Sequence, residues 1–154
     1  MKNIKKIMIV LLLVLVLFGC SNKTEERINT INEQVKYLEL TSEEETELNN
    51  KISKLNKKTK EEDIKSIESE IDKIKSSNKW NLLLKEQNLV TDIKGFSATN
   101  IEKYTTLKNE YDELKRNENY KEANIKLDEL ITFADELYSK TNKKKQPDVV
   151  SKGI

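Results

Sequence analysis

The sequence predicts an all-α protein: an elongated antiparallel helical bundle, or coiled-coil-like assembly, of about five helices behind a cleaved N-terminal signal. Apolar residues recur at three- and four-residue spacing along most of the chain, which puts one narrow apolar stripe on each helix. Charged residues make up 36% of the chain, and beyond residue 20 its only glycines are Gly95 and Gly153, a composition that favours helices over sheets or Gly-Pro linkers. At four expected helix boundaries a Thr or Asn stands three positions before a Glu, the pattern that caps a helix start.

The first helix is expected at residues 25–39, where Ile28, Ile31, Val35 and Leu38 share a face. The second, 43–57, carries Leu48, Ile52 and Leu55, and opens at Thr41, whose hydroxyl accepts a free backbone N–H while Glu44 reaches back. Thr59 with Glu62 opens the third, 60–86, with Ile64, Ile67, Ile71 and Ile74 as its stripe. Leu82 follows Ile64 by 18 residues, five turns at about 3.6 residues each, so this helix is able to run on through Ser76-Ser77-Asn78. A break at those polar residues is the other reading. Thr99 with Glu102 opens the fourth, 100–116, striped by Tyr104, Leu107, Tyr111 and Leu114. Asn119 with Glu122 opens the fifth, 119–139, whose stripe is the longest: Tyr120, Ala123, Leu127, Leu130, Ala134 and Leu137.

Short connections place successive helices antiparallel, and narrow stripes must be packed together because each helix alone is marginal in water. Residues 25–139 are therefore expected to form one bundle domain. Self-association is the alternative way to bury the stripes, since a heptad pattern does not separate packing within a chain from packing between chains. Residues 87–99 interrupt the pattern with few charges and hold Gly95. This long connection, with Phe96, and nearby Trp80 are the candidate contacts for a protein or peptide partner. The other reading is that Leu89, Val90, Ile93 and Phe96 cover the end of the core.

The N-terminus states an address. Lys2, Lys5 and Lys6 precede an apolar run from Ile7 to Phe18, followed by Gly19 and Cys20. A basic start, an apolar run and a small residue are the parts of a secretory signal. As a helix the run reaches about 18 Å, short of the bilayer core of about 30 Å. Leu17-Phe18-Gly19-Cys20 resembles the lipobox of bacterial lipoproteins. The resemblance, confined to residues 1–20, implies cleavage between Gly19 and Cys20 and acylation of the Cys20 thiol. It further implies a mature chain held by lipid to the extracytoplasmic side of a bacterial cell membrane. The divisions that follow are a signal at 1–19, a lipidated tether at 20–24, the bundle at 25–139 and a basic disordered tail at 140–154. Two or more acyl chains on Cys20 anchor durably, where one chain is marginal.

Without Lys2, Lys5 and Lys6 the chain has 25 basic and 27 acidic residues, a formal net charge of −2. The tail is basic through Lys140, Lys143, Lys144, Lys145 and Lys152, so the body before it is acidic and no nucleic-acid partner is expected. There is no histidine and a single cysteine, which removes Ser-His-Asp and Cys-His chemistry and any Cys-based zinc site. The acidic runs Glu43-Glu44-Glu45 and Glu61-Glu62-Asp63 fall in first turns of expected helices, where carboxylates favour the helix dipole and stay solvated. No catalytic residue, cofactor or metal is expected. The expectation is a non-enzymatic envelope lipoprotein that offers a helical bundle to a protein or peptide, in an immunity, exclusion or complex-forming role. The alternative is a structural or wall-associated spacer whose basic tail contacts anionic polymer.

Overall fold

The computed structural model describes residues 23–143, with side chains through Thr141. All regular structure among the described residues is helical: α1 (23–35), α2 (Ser42–Ile52), α3 (Glu61–Glu86), α4 (Ala98–Arg116) and α5 (Tyr120–Lys143). The packing is that of helical bundles, and the described chain divides into two compact units, one ending at Ser76 and the other beginning at Ser77. The α3 stripe accounts for the division: Ile64, Ile67 and Ile71 are buried in the first unit and Leu82 in the second. Half-buried Ile74 and exposed Ser76 and Ser77 lie between. The helix itself is unbroken through Ser76-Ser77-Asn78.

In the first unit Ile31, Leu38 and Leu48 are buried with the three α3 isoleucines, every one a residue of an expected stripe. Charged pairs tie the start of α1 to the start of α3. The Arg27 guanidinium donates to both Glu61 oxygens at 2.6 and 2.7 Å and to both Glu68 oxygens at 2.8 and 2.6 Å. Lys57 pairs with Glu25 at 2.8 Å, and Lys51 bridges Glu70 at 2.9 Å and Glu47 at 2.7 Å.

In the second unit α4 and α5 pack along each other. Tyr104, Leu107 and Tyr111 face Tyr120, Ala123, Leu127, Leu130 and Ala134, all buried. Asn78 is a buried polar residue here, and no buried side-chain N or O atom among the described residues lacks a hydrogen-bond partner.

Several boundaries differ from the sequence reading. Helix α1 ends at residue 35, and tighter bonds from Lys36, Tyr37 and Leu38 N–H to Glu33, Gln34 and Val35 carbonyls carry the chain on, keeping Leu38 buried. Helix α2 stops at Ile52, and in the connection after it Asn56 Oδ1 accepts from Lys58 N–H at 2.9 Å and Thr59 Oγ1 from Asn56 N–H at 2.8 Å. Thr59 thus closes a turn, two residues before α3 begins. The cap of α4 is Ser97, accepting from Asn100 N–H at 3.3 Å, so Thr99 sits inside the first turn. The capping box of Thr41 and Glu44 is present in full, and Asn119 Oδ1 accepts from Glu122 N–H at 3.3 Å. Helix α5 runs to Lys143, so the first four residues of the expected tail are helical. The remainder, 144–154, lies outside the described residues.

Candidate functional site

The connection between α3 and α4 is folded onto its own unit. Leu89, Val90 and Ile93 pack against a core cluster of Tyr104, Leu107, Leu130 and Ala134. Tyr104 donates its hydroxyl proton to the Val90 carbonyl at 3.1 Å, pinning the loop to α4. Within the loop Asp92 Oδ1 accepts from Lys94 N–H at 3.1 Å, and the Ile93 carbonyl accepts from Gly95 and Phe96 N–H at 2.9 and 3.1 Å. A Cβ on Gly95 would lie 3.2 Å from Thr141 Cγ2, so glycine permits the close approach of this loop to the last turns of α5. Phe96 is half-buried. Leu89, Val90 and Ile93 thus cover the core.

Trp80 is placed differently. It stands on α3, 61% exposed, and Leu83 and Leu84 on the same helix are 39% and 45% exposed. At about 100° per residue, Trp80 and Leu84 lie opposite buried Leu82, and Leu83 flanks them. Three large apolar side chains therefore form one solvent-facing surface. Sequence reasoning singled out Trp80 and missed its two neighbours. The signal was available, because three consecutive leucines on a helix cannot all turn to one core.

This surface is backed by fixed groups. Glu86 accepts from the Tyr111 hydroxyl at 2.7 Å and from Lys115 Nζ at 2.6 Å. Lys85 donates to Asn124 and Asp128, each at 2.6 Å. Both arrangements fasten the last turn of α3 to α4 and α5. Burial, and then the hydrogen bond to Glu86, push the Tyr111 phenol well above its usual range, so it is a donor at every ordinary pH.

The acidic runs have local partners. In the first turn of α2, Glu44 accepts from the Thr41 N–H at 2.8 Å, which holds its carboxyl below the usual value; in the first turn of α3, Glu61 is engaged by Arg27. No group of three or more metal-ligating side chains occurs among the described residues, and no described helix is long and apolar enough to cross a membrane. Gly19 and Cys20, the expected cleavage and lipidation positions, lie outside the described residues. Comparison with protein-family models, curated proteins and solved structures finds no match to the chain.

Proposed function

We propose that the mature chain is a non-enzymatic lipoprotein of a bacterial envelope, held by lipid on Cys20 at the extracytoplasmic face of the cell membrane, and that its helices receive another protein or peptide. The observation that carries the binding role is the apolar surface of Trp80, Leu83 and Leu84, with Trp80 61% exposed. Isolated exposed apolar residues need no explanation, but a contiguous group marks a contact, and tryptophan is enriched where binding energy concentrates. The address rests on Leu17-Phe18-Gly19-Cys20 and the run before it. A chain without histidine, committed to narrow packed stripes, suits an immunity, exclusion or complex-forming role better than catalysis.

Each half has its own test. In cells, a fatty-acid analogue should label the parent and not Cys20→Ala, and equal labelling would sink the anchor. For the binding role, tagged mature chain is used to capture partners from membranes of the producing cell. Trp80→Ala combined with Leu84→Ala should lose the captured protein while keeping the parent helical spectrum and melting temperature. Capture unchanged by that pair would remove this surface from the proposal. Retention on isolated wall that depends on residues 144–154 would favour the spacer role instead.

A further inference from the structure

One end of the first unit gathers cations that the fold leaves without partners. The last turn of α2, the connection 53–60 and the first turns of α3 enclose an open cleft of about 530 Å³. Lys54, Lys58 and Lys60 line it, and their side-chain ammonium groups pair with no carboxylate among the described residues. Leu55 and Ile67 give the cleft an apolar lining, and Asp63 is the carboxylate on its wall. Lys51 also lines it but is held by Glu47 and Glu70. Lysines elsewhere at interhelical positions, among them Lys57, Lys85, Lys115 and Lys126, are matched with carboxylates, so an unmatched group of three on one cleft wants an external anion.

The location of the cleft says which anion. Lys57, inside the connection, reaches Glu25 at 2.8 Å, and Arg27 reaches Glu61 at 2.6 Å, so the start of α1 stands beside the cleft's own connection and helix. Cys20 precedes Glu25 by five residues, a backbone reach of at most about 18 Å. We infer that the Lys54, Lys58 and Lys60 cleft is a membrane-docking surface that takes the phosphates of anionic phospholipid headgroups in the bilayer that holds Cys20. The assignment rests on Cys20 being the anchor. The lipid then supplies the tether, and the lysines set which end of the unit meets the bilayer.

The test uses residues 20–154 carrying Cys20→Ser, so that binding reports the surface and not the acyl chains. Sedimentation is measured with vesicles of phosphatidylcholine alone and of phosphatidylcholine mixed with phosphatidylglycerol. The parent should bind only the anionic vesicles. The triple variant Lys54→Gln, Lys58→Gln, Lys60→Gln should bind about 100-fold more weakly, given the attraction of each lysine to an anionic surface. A control triple of the same charge change, Lys79→Gln, Lys94→Gln, Lys121→Gln, should stay close to the parent. All three substituted sites of the cleft variant are exposed, so its melting temperature should match the parent's.

Equal weakening by both triples would reduce the effect to net charge and overturn the inference, and so would a cleft variant that binds like the parent. Preference for purified anionic wall polymer over vesicles, lost in the cleft variant, would make the occupant wall and not lipid. Fatty-acid labelling of Cys20 in cells is independent of this assay. Labelling without vesicle binding sinks the docking surface alone, and vesicle binding without labelling sinks the anchor alone.

Discussion

Glu118 shows how a single residue sets a chain reversal. Its φ of 57° lies in the left-handed region, where Asn119 N–H bonds the Leu114 carbonyl at 3.0 Å and Glu118 N–H bonds the Lys115 carbonyl at 3.2 Å. This is the helix ending that glycine normally serves, and a side chain there costs about 1–2 kcal/mol. Part of that cost returns as glycine's larger loss of freedom, so Glu118→Gly should gain about 0.5–1 kcal/mol and raise Tm by a few degrees in calorimetry. A lower Tm would mean that the contacts of Glu118 outweigh its backbone strain. The buried tyrosines give a second residue-scale expectation. Burial raises the phenols of Tyr104, Tyr111 and Tyr120, with Glu86 adding to the effect at Tyr111. Above the unfolded value of about 10 the unfolded chain loses protons that the folded chain keeps, so stability falls as pH rises past that point. Tyr111→Phe should melt lower near neutral pH, having lost a hydrogen bond worth about 1 kcal/mol, and decline less steeply in alkali. Parallel pH profiles for the two proteins would contradict this.

Among the elements, α5 carries the clearest expectation. Leu130 is fully buried in the cluster with Tyr104, Leu107 and Ala134, so Leu130→Asp places an unpaired charge where it costs several kcal/mol, against a domain stability of about 5–15 kcal/mol. The second unit should unfold. Glu129→Asp, at an exposed position beside Lys126, should change little. Thermal melts followed by circular dichroism check both, and equal Tm for Leu130→Asp and parent would refute the packing. Stripes proved legible at this scale because a 3.6-residue period leaves one direction for burial: nearly every residue assigned to a stripe is buried or half-buried. Starts and stops were less so. Thr59 and Thr99 each have the right acid three residues on, yet the Thr59 hydroxyl takes the Asn56 N–H and Ser97, not Thr99, caps α4. A local oxygen can serve several competing backbone groups, and only the folded geometry chooses among them.

At the scale of the molecule, residues 20–154 carrying Cys20→Ser should be strongly helical in dilute buffer. Five helices occupy most of the described chain, so a far-UV spectrum without helical minima would count against the fold. Acid should weaken the first unit. Hydrogen bonds from Arg27 hold the Glu68 and Glu61 carboxyls below their usual value of 4.5. The stability they add is present above that value and is lost as pH falls through the lower folded ones. Both carboxylates are solvent-accessible, so screening by water keeps the loss small. Arg27→Met should flatten the acid limb of the Tm profile, and an unchanged limb would show that the pairing adds nothing.

Periodicity and composition by themselves determined the helical class, the number of helices and nearly all of the core, because burial of one face is imposed by helix geometry and needs no knowledge of the partner. The N-terminal residues similarly carry their own expectation of an address, since a lipobox is read as a linear string. Tertiary structure decided what depends on neighbours. Ser76 and Ser77 divide two compact units while α3 continues through them, because helix propensity tolerates serine but a core needs apolar contacts on both sides. Leu83 and Leu84 join Trp80 in solvent because Leu82 alone of the three reaches the core. Lys54, Lys58 and Lys60 become a single cleft because the end of α2 and the start of α3 close around a turn built by Asn56 and Thr59. Such convergence comes from the path of the backbone in space, which spacing along the chain does not encode.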